Sequence, residues 1–218
     1  MLCLMALALC ASLPAMADIV YNNTLPTGSN CCSGWTIGGS GSLVGLVEDA
    51  QLFNSGVGGT VSDIAIDIGY AAGDNGAMVG IYTDVANAPG SLITGSIYGS
   101  LNNAATFGSL CPIPCEISNH HTGGTLAAAT NYFVVILADN TTWDAWNMNS
   151  NGYTGTLEQN TGTGWNAFSG QTLGGMCIAT NGESCGGGGG TTPEPTSLLL
   201  LGTGLVGAFG VIRRKLNR

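Results

Sequence analysis

The chain reads as an all-β protein, a single domain of β-sandwich or jelly-roll type. Three observations carry that expectation. Short apolar or alternating runs recur between turn signals, Gly, Ser, Thr and Asn are abundant (36 glycines in 218 residues), and the body of the chain shows no long helical periodicity. The body, residues 18–192, is long enough for one domain with a real core.

The elements follow in order. Thr60-Val61-Ser62-Asp63-Ile64-Ala65-Ile66-Asp67-Ile68 alternates, with Ile64, Ile66 and Ile68 on one face beside Ser62, and Asp63 and Asp67 on the other. That spacing predicts a half-buried strand. The turn Gly73-Asp74-Asn75-Gly76 leads into a strand over residues 77–82. Asn87-Ala88-Pro89-Gly90 reads as a turn into a strand over residues 91–97. Residues 132–138 are almost continuously apolar, which suits a central strand covered on both faces. Residues 141–147 add an aromatic strand with Trp143 and Trp146. Strands at this spacing predict a sandwich or jelly roll.

Charge is distributed unevenly. All four basic residues, Arg213, Arg214, Lys215 and Arg218, lie in the last six positions. Residues 18–192 hold twelve of the thirteen carboxylates and no Lys or Arg. A carboxylate there has no internal lysine or arginine to pair with, so charge supplies solubility and mutual repulsion. Nucleic acid is excluded as an expected partner, because no cation meets a phosphate. Anionic lipid and acidic polysaccharide are disfavoured for the same reason, unless a divalent cation bridges them.

Six cysteines fall in this region: Cys31, Cys32, Cys111, Cys115, Cys177 and Cys185. An even count in an exported chain points to disulfides. The short loops Cys111–Cys115 and Cys177–Cys185 close most readily, which leaves Cys31 and Cys32 over.

Both ends look like addresses. Residues 2–13 form an apolar run and Ala15-Met16-Ala17 is an A-x-A cleavage site, so residues 1–17 read as a secretory signal peptide cut after Ala17. The run lacks a preceding Lys or Arg, so the true start is expected upstream of Met1 or elsewhere. At the other end, Gly186 to Gly190 opens a flexible linker, residues 186–192. Pro193-Glu194-Pro195 follows, then an uncharged apolar stretch over residues 197–212, then the basic cluster. Sixteen helical residues would span roughly 24 Å, a short transmembrane helix. Arg213, Arg214 and Lys215 would stay cytoplasmic and leave the rest outside. The prolines keep the motif extended and accessible. Gly202-Thr203-Gly204-Leu205-Val206-Gly207 fits G-x-G-x-x-G, but no acid follows it, and small residues in a membrane helix explain it.

A short polar motif, a hydrophobic helix and a basic cluster, over residues 193–218, resemble the PEP-CTERM sorting signal of Gram-negative bacteria. The resemblance implies an exosortase, a membrane cysteine protease, as processing partner. It also implies a host that makes extracellular polysaccharide, and a product in the outer envelope, at the cell surface or in the biofilm matrix.

A second resemblance covers roughly residues 18–180. It is carried by Tyr21-Asn22-Asn23, Gly34-Trp35-Thr36-Ile37-Gly38-Gly39 and Ala50-Gln51-Leu52-Phe53. Further on come Val79-Gly80-Ile81-Tyr82-Thr83-Asp84 with Pro89-Gly90, Leu126-Ala127-Ala128-Ala129-Thr130-Asn131-Tyr132-Phe133-Val134-Val135, and Gly164-Trp165. This is similar to the bacterial choice-of-anchor surface domains. It implies a secreted β-rich surface module (residues 18–185) and transfers no catalytic residues.

Candidate chemistry is sparse. Cys111 and Cys115 with His120 and His121 have the ligand types of a zinc site, but a disulfide with loop histidines is the simpler reading. Glu48-Asp49 is the densest carboxylate cluster, the place to look for a glycosidase-like pair. No G-x-S-x-G elbow is present. The oxygen-rich turns at Asp74 and Asp139 are the positions calcium would use, though turn chemistry alone accounts for them, and no cofactor is expected. Trp143, Trp146, Trp165, Tyr153 and Phe168 either fill the core or stack on sugar rings. The expectation is a non-enzymatic surface or matrix protein, with a carbohydrate-binding module and a small secreted hydrolase as alternatives.

Overall fold

The computed structural model describes residues 18–24, 33–74, 76–100, 105–106, 116–119, 123–149 and 151–185. The chain divides into two units, Met1–Gly187 and Gly188–Arg218, and all described residues belong to the first. The expected signal peptide, the apolar helix, the sorting motif, Cys31, Cys32, Cys111, Cys115, His120 and His121 lie outside the described residues.

The described residues form strands and no helix, as the periodicity predicts. The strands are β1 (Asp18–Asn22), β2 (Gly34–Gly38), β3 (Glu48–Asn54), β4 (Gly59–Ala72), β5 (Ala77–Val85), β6 (Ala88–Ser100) and β7 (Ala105–Thr106). After these come β8 (Glu116–Asn119), β9 (Thr125–Leu126), β10 (Asn131–Ala138), β11 (Trp143–Asn147), β12 (Thr154–Asn160), β13 (Trp165–Thr172) and β14 (Met176–Thr180). They build two sheets, consistent with a β-sandwich. One runs β1-β14-β4-β11-β2, with β7, β8 and β9 also pairing β4; the other runs β13-β12-β3-β10-β5-β6.

The main core lies between the sheets. Ile64, Ile66 and Ile68 of β4, Trp146 of β11 and Ile178 of β14 meet Phe53, Ile81, Val134 and Ile136 of the opposite sheet. Two indoles fix the segment between β13 and β14. Trp35 Nε1 donates to the Thr172 carbonyl (2.9 Å), and Trp146 Nε1 donates to Gly175 (3.0 Å). The buried Asn23 side chain donates to Gly174 and accepts from the Met176 N–H, which ties β1 to the same segment. These side-chain bonds tie the segment to both β1 and the core, and the Gly175 carbonyl also accepts from the Asp67 N–H.

Two expectations change. The strand at β4 is covered on both faces, with Asp63 and Asp67 buried beside the isoleucines. Alternation identifies which side chains share a face, but not whether a second layer covers the other one. Here β4 is the spine of its sheet, and the chain after β14 returns alongside it. Ser62 Oγ donates to the Glu183 carbonyl, and the Cys185 N–H donates to Asp63 Oδ2 (2.8 Å). Cys177 and Cys185 form the expected disulfide.

The second change is a turn. Ala86 and Asn87 make the reversal, both at positive φ (55° and 64°), and Val85 pairs with Ala88. Two consecutive positive-φ residues match the right-handed twist of flanking strands. Pro89 therefore lies within β6, an edge strand of its sheet, where a missing N–H is tolerated. The 132–138 run is the central strand it was expected to be, between β3 and β5.

Candidate functional site

The pleat of the six-stranded sheet sorts its residues into two faces. On β3, Asp49, Gln51 and Phe53 point towards the other sheet, while Glu48, Ala50 and Leu52 point away. The register extends the outward face to Phe133, Val135 and Leu137 on β10 and Tyr82 on β5. On β12 it adds Glu158 and Asn160, opposite Ala50 and Glu48, and on β13 Trp165, opposite Asn160. Ala50, Phe133 and Val135 are fully buried there, and Leu52, Tyr82, Leu137 and Trp165 pack round them half-buried. The outward face thus has its own apolar floor.

Polar groups rim that floor. Asn160 Nδ2 donates to Glu48 Oε2 across the strand pair (2.9 Å). Asn160 Oδ1 accepts from the Gly162 and Gly164 N–H groups and so holds the turn into Trp165. Glu158 is 2% exposed, and its Oε1 has no hydrogen-bond partner. Burial raises the Glu158 carboxyl above the ordinary carboxylate range. Burial, and then the charge of Glu48, raise the Tyr82 hydroxyl.

The inward face carries a separate polar layer. Gln159 Nε2 donates to Asp49 Oδ1 (3.0 Å), and Gln51 Nε2 donates to Tyr21 (3.4 Å). Asp49, and Asp144 on β11 of the other sheet, are fully buried, and burial raises both to about 7. Neither Asp144 oxygen has a partner.

The sequence-expected candidates scatter. Adjacent residues on a strand face opposite ways, so Glu48 and Asp49 cannot act as a pair. The outward neighbour of Glu48 is Glu158, diagonal to it across β3 and β12 and 110 positions away. Only the register shows this. The aromatic cluster divides: Trp146 is core, Trp143 lies on the outer face of the other sheet, and Trp165 joins the Glu48 face. Tyr153 and Phe168 are exposed.

Asp74 and Asp139 come into adjoining turns. Thr141 Oγ1 donates to Asp74 Oδ2, and the Thr142 N–H donates to the Asp139 carbonyl. Among the described residues no three His, Cys, Asp or Glu side chains are grouped to hold a metal ion, and no helix is long and apolar enough to cross a membrane.

Fold and site together define a disulfide-bonded, two-sheet β domain without internal cations, of a kind that fits a surface domain. Its C-terminal tail is more specific. Residues 191–215 match the PEP-CTERM protein-sorting motif. That motif marks an exported Gram-negative protein, anchored in the membrane and then processed, with an exosortase as the general kind of partner. No curated protein and no solved structure matches the chain, and no homology to choice-of-anchor domains is shown.

Proposed function

We propose that this chain is a non-enzymatic surface or extracellular-matrix protein, cut by an exosortase at Pro193-Glu194-Pro195 and released into the exopolysaccharide of its host. The match at residues 191–215 carries the reading. The apolar segment over residues 197–212 holds the chain in the inner membrane, with Arg213, Arg214 and Lys215 on the cytoplasmic side. The protease then acts at Pro193-Glu194-Pro195, which follows Gly186 to Gly190 in the sequence. The domain released suits an oxidising compartment, since it carries the Cys177–Cys185 disulfide.

The test is the intact mass of the protein recovered separately from membranes and medium of its native host. The expected product begins at Asp18 and ends near Pro193-Glu194-Pro195. A species found only in membranes and still carrying residues 213–218 would make the tail a permanent anchor and overturn the reading. A second reading, a carbohydrate-binding module, is favoured by the aromatic and acidic rim around Trp165 and Glu48.

A further inference from the structure

We propose that the outward face of the six-stranded sheet binds an uncharged polysaccharide, with Trp165 and Tyr82 lying against sugar rings and Glu48 and Glu158 accepting hydrogen bonds from sugar hydroxyls. The inference rests on the carbohydrate-binding reading. It adds the face, the residues and the charge class of the ligand.

The Glu158 carboxyl, buried to 98% with an oxygen lacking any partner, is costly. Residues 18–192 contain no Lys or Arg that could compensate it. What the Glu158 oxygen lacks is a hydrogen-bond donor, and a ligand hydroxyl on this face would supply one. The same face carries an apolar floor and two half-buried aromatic rings. A ligand that joins hydroxyl donors to apolar C–H faces along an extended chain is a polysaccharide.

The charge of the surroundings selects among sugars. Glu48 stands diagonal to Glu158, and residues 18–192 hold twelve carboxylates and no Lys or Arg. A uronate or sulfated chain would be repelled, whereas a neutral chain is not. A metal ion fits the face less well. Asn160 has its Nδ2 on Glu48 and its Oδ1 on the Gly162 and Gly164 N–H groups, so it has no oxygen to spare. Two carboxylates alone fall short of the six or more oxygens that calcium takes. Asn160 is a positioning residue: it fixes Glu48 at the rim and holds the turn that delivers Trp165.

Affinity electrophoresis of the full chain in detergent tests the proposal, in native gels containing galactomannan, hydroxyethylcellulose or dextran, with alginate as the acidic comparison. Retardation is expected in at least one neutral gel, with or without EDTA, and not in alginate. Trp165→Ala should weaken it by about tenfold or more, while Trp143→Ala, on the opposite sheet, should leave it unchanged. The isosteric Glu48→Gln should also weaken it, and it carries the test if Trp165→Ala fails to fold. No retardation in any neutral gel would overturn the proposal. So would loss of binding in EDTA, preference for alginate, or equal effects of the two tryptophan substitutions. None of these outcomes touches the reading of the tail, which mass alone decides.

Discussion

The indole of Trp146 lies directly against the backbone of Gly174. A Cβ placed at Gly174 would sit 2.4 Å from the ring atoms Nε1 and Cε2. Trp146 is wholly buried at the centre of the core and donates its N–H to the next residue, Gly175. The contact joins the core to the segment that leads into β14.

Gly174→Ala should therefore destabilise the domain by about 1–3 kcal/mol, the range for overpacking a filled core. The indole cannot move without losing its hydrogen bond to Gly175. Urea denaturation followed by tryptophan fluorescence measures the effect. An unchanged midpoint would show that the segment shifts freely and that the contact is not a constraint.

The Cys177–Cys185 bridge closes a loop with a sequence separation of 8. On the chain-entropy account a loop of that size is worth about 2.5 kcal/mol. It also keeps the Cys185 N–H on the buried Asp63. Cys185→Ala should lower stability by about that amount, and reductant should lower the wild type towards the variant. Equal midpoints with and without reductant would refute the assignment.

Stability should fall as pH rises from 4 to 8. Asp49 and Asp144 move from an ordinary 3.8 to about 7 because burial disfavours the charged form. The folded state then binds more protons than the unfolded chain between those values. The stabilisation is fully present below 3.8 and is lost as pH climbs through about 7. The combined effect is on the order of a few kcal/mol. Denaturation midpoints measured across this range should decline steadily, and Asp144→Asn should flatten the decline. A maximum at neutral pH in the wild type would show that these carboxyls stay ionised in the fold.

Much of this architecture was legible in the sequence. The continuous apolar run at β10 identified a strand covered on both faces. The glycine-rich turn at Gly73 and the local disulfide at Cys177 were also readable, since each depends on a few neighbouring residues. Other elements carried too little local pattern. β13 is largely exposed and shows no apolar alternation. The Ala86-Asn87 turn was masked by the stronger turn signal of Pro89-Gly90. Covered carboxylates were illegible as well, because Asp63 on an alternating strand looks the same whether water or another segment faces it.

The sequence by itself determined the fold class and the sorting tail. A period of two, dense turn residues and the absence of internal cations make an all-β acidic domain. The tail, a contiguous motif, can be read without folding. Only the tertiary structure decided which carboxylates meet. Strand pairing set Glu48 diagonal to Glu158 and turned Asp49 inward, and it placed Trp165 with the glutamates and Trp143 on the opposite sheet. Register is fixed by burial of whole faces across the sandwich. No local stretch of the chain contains that information.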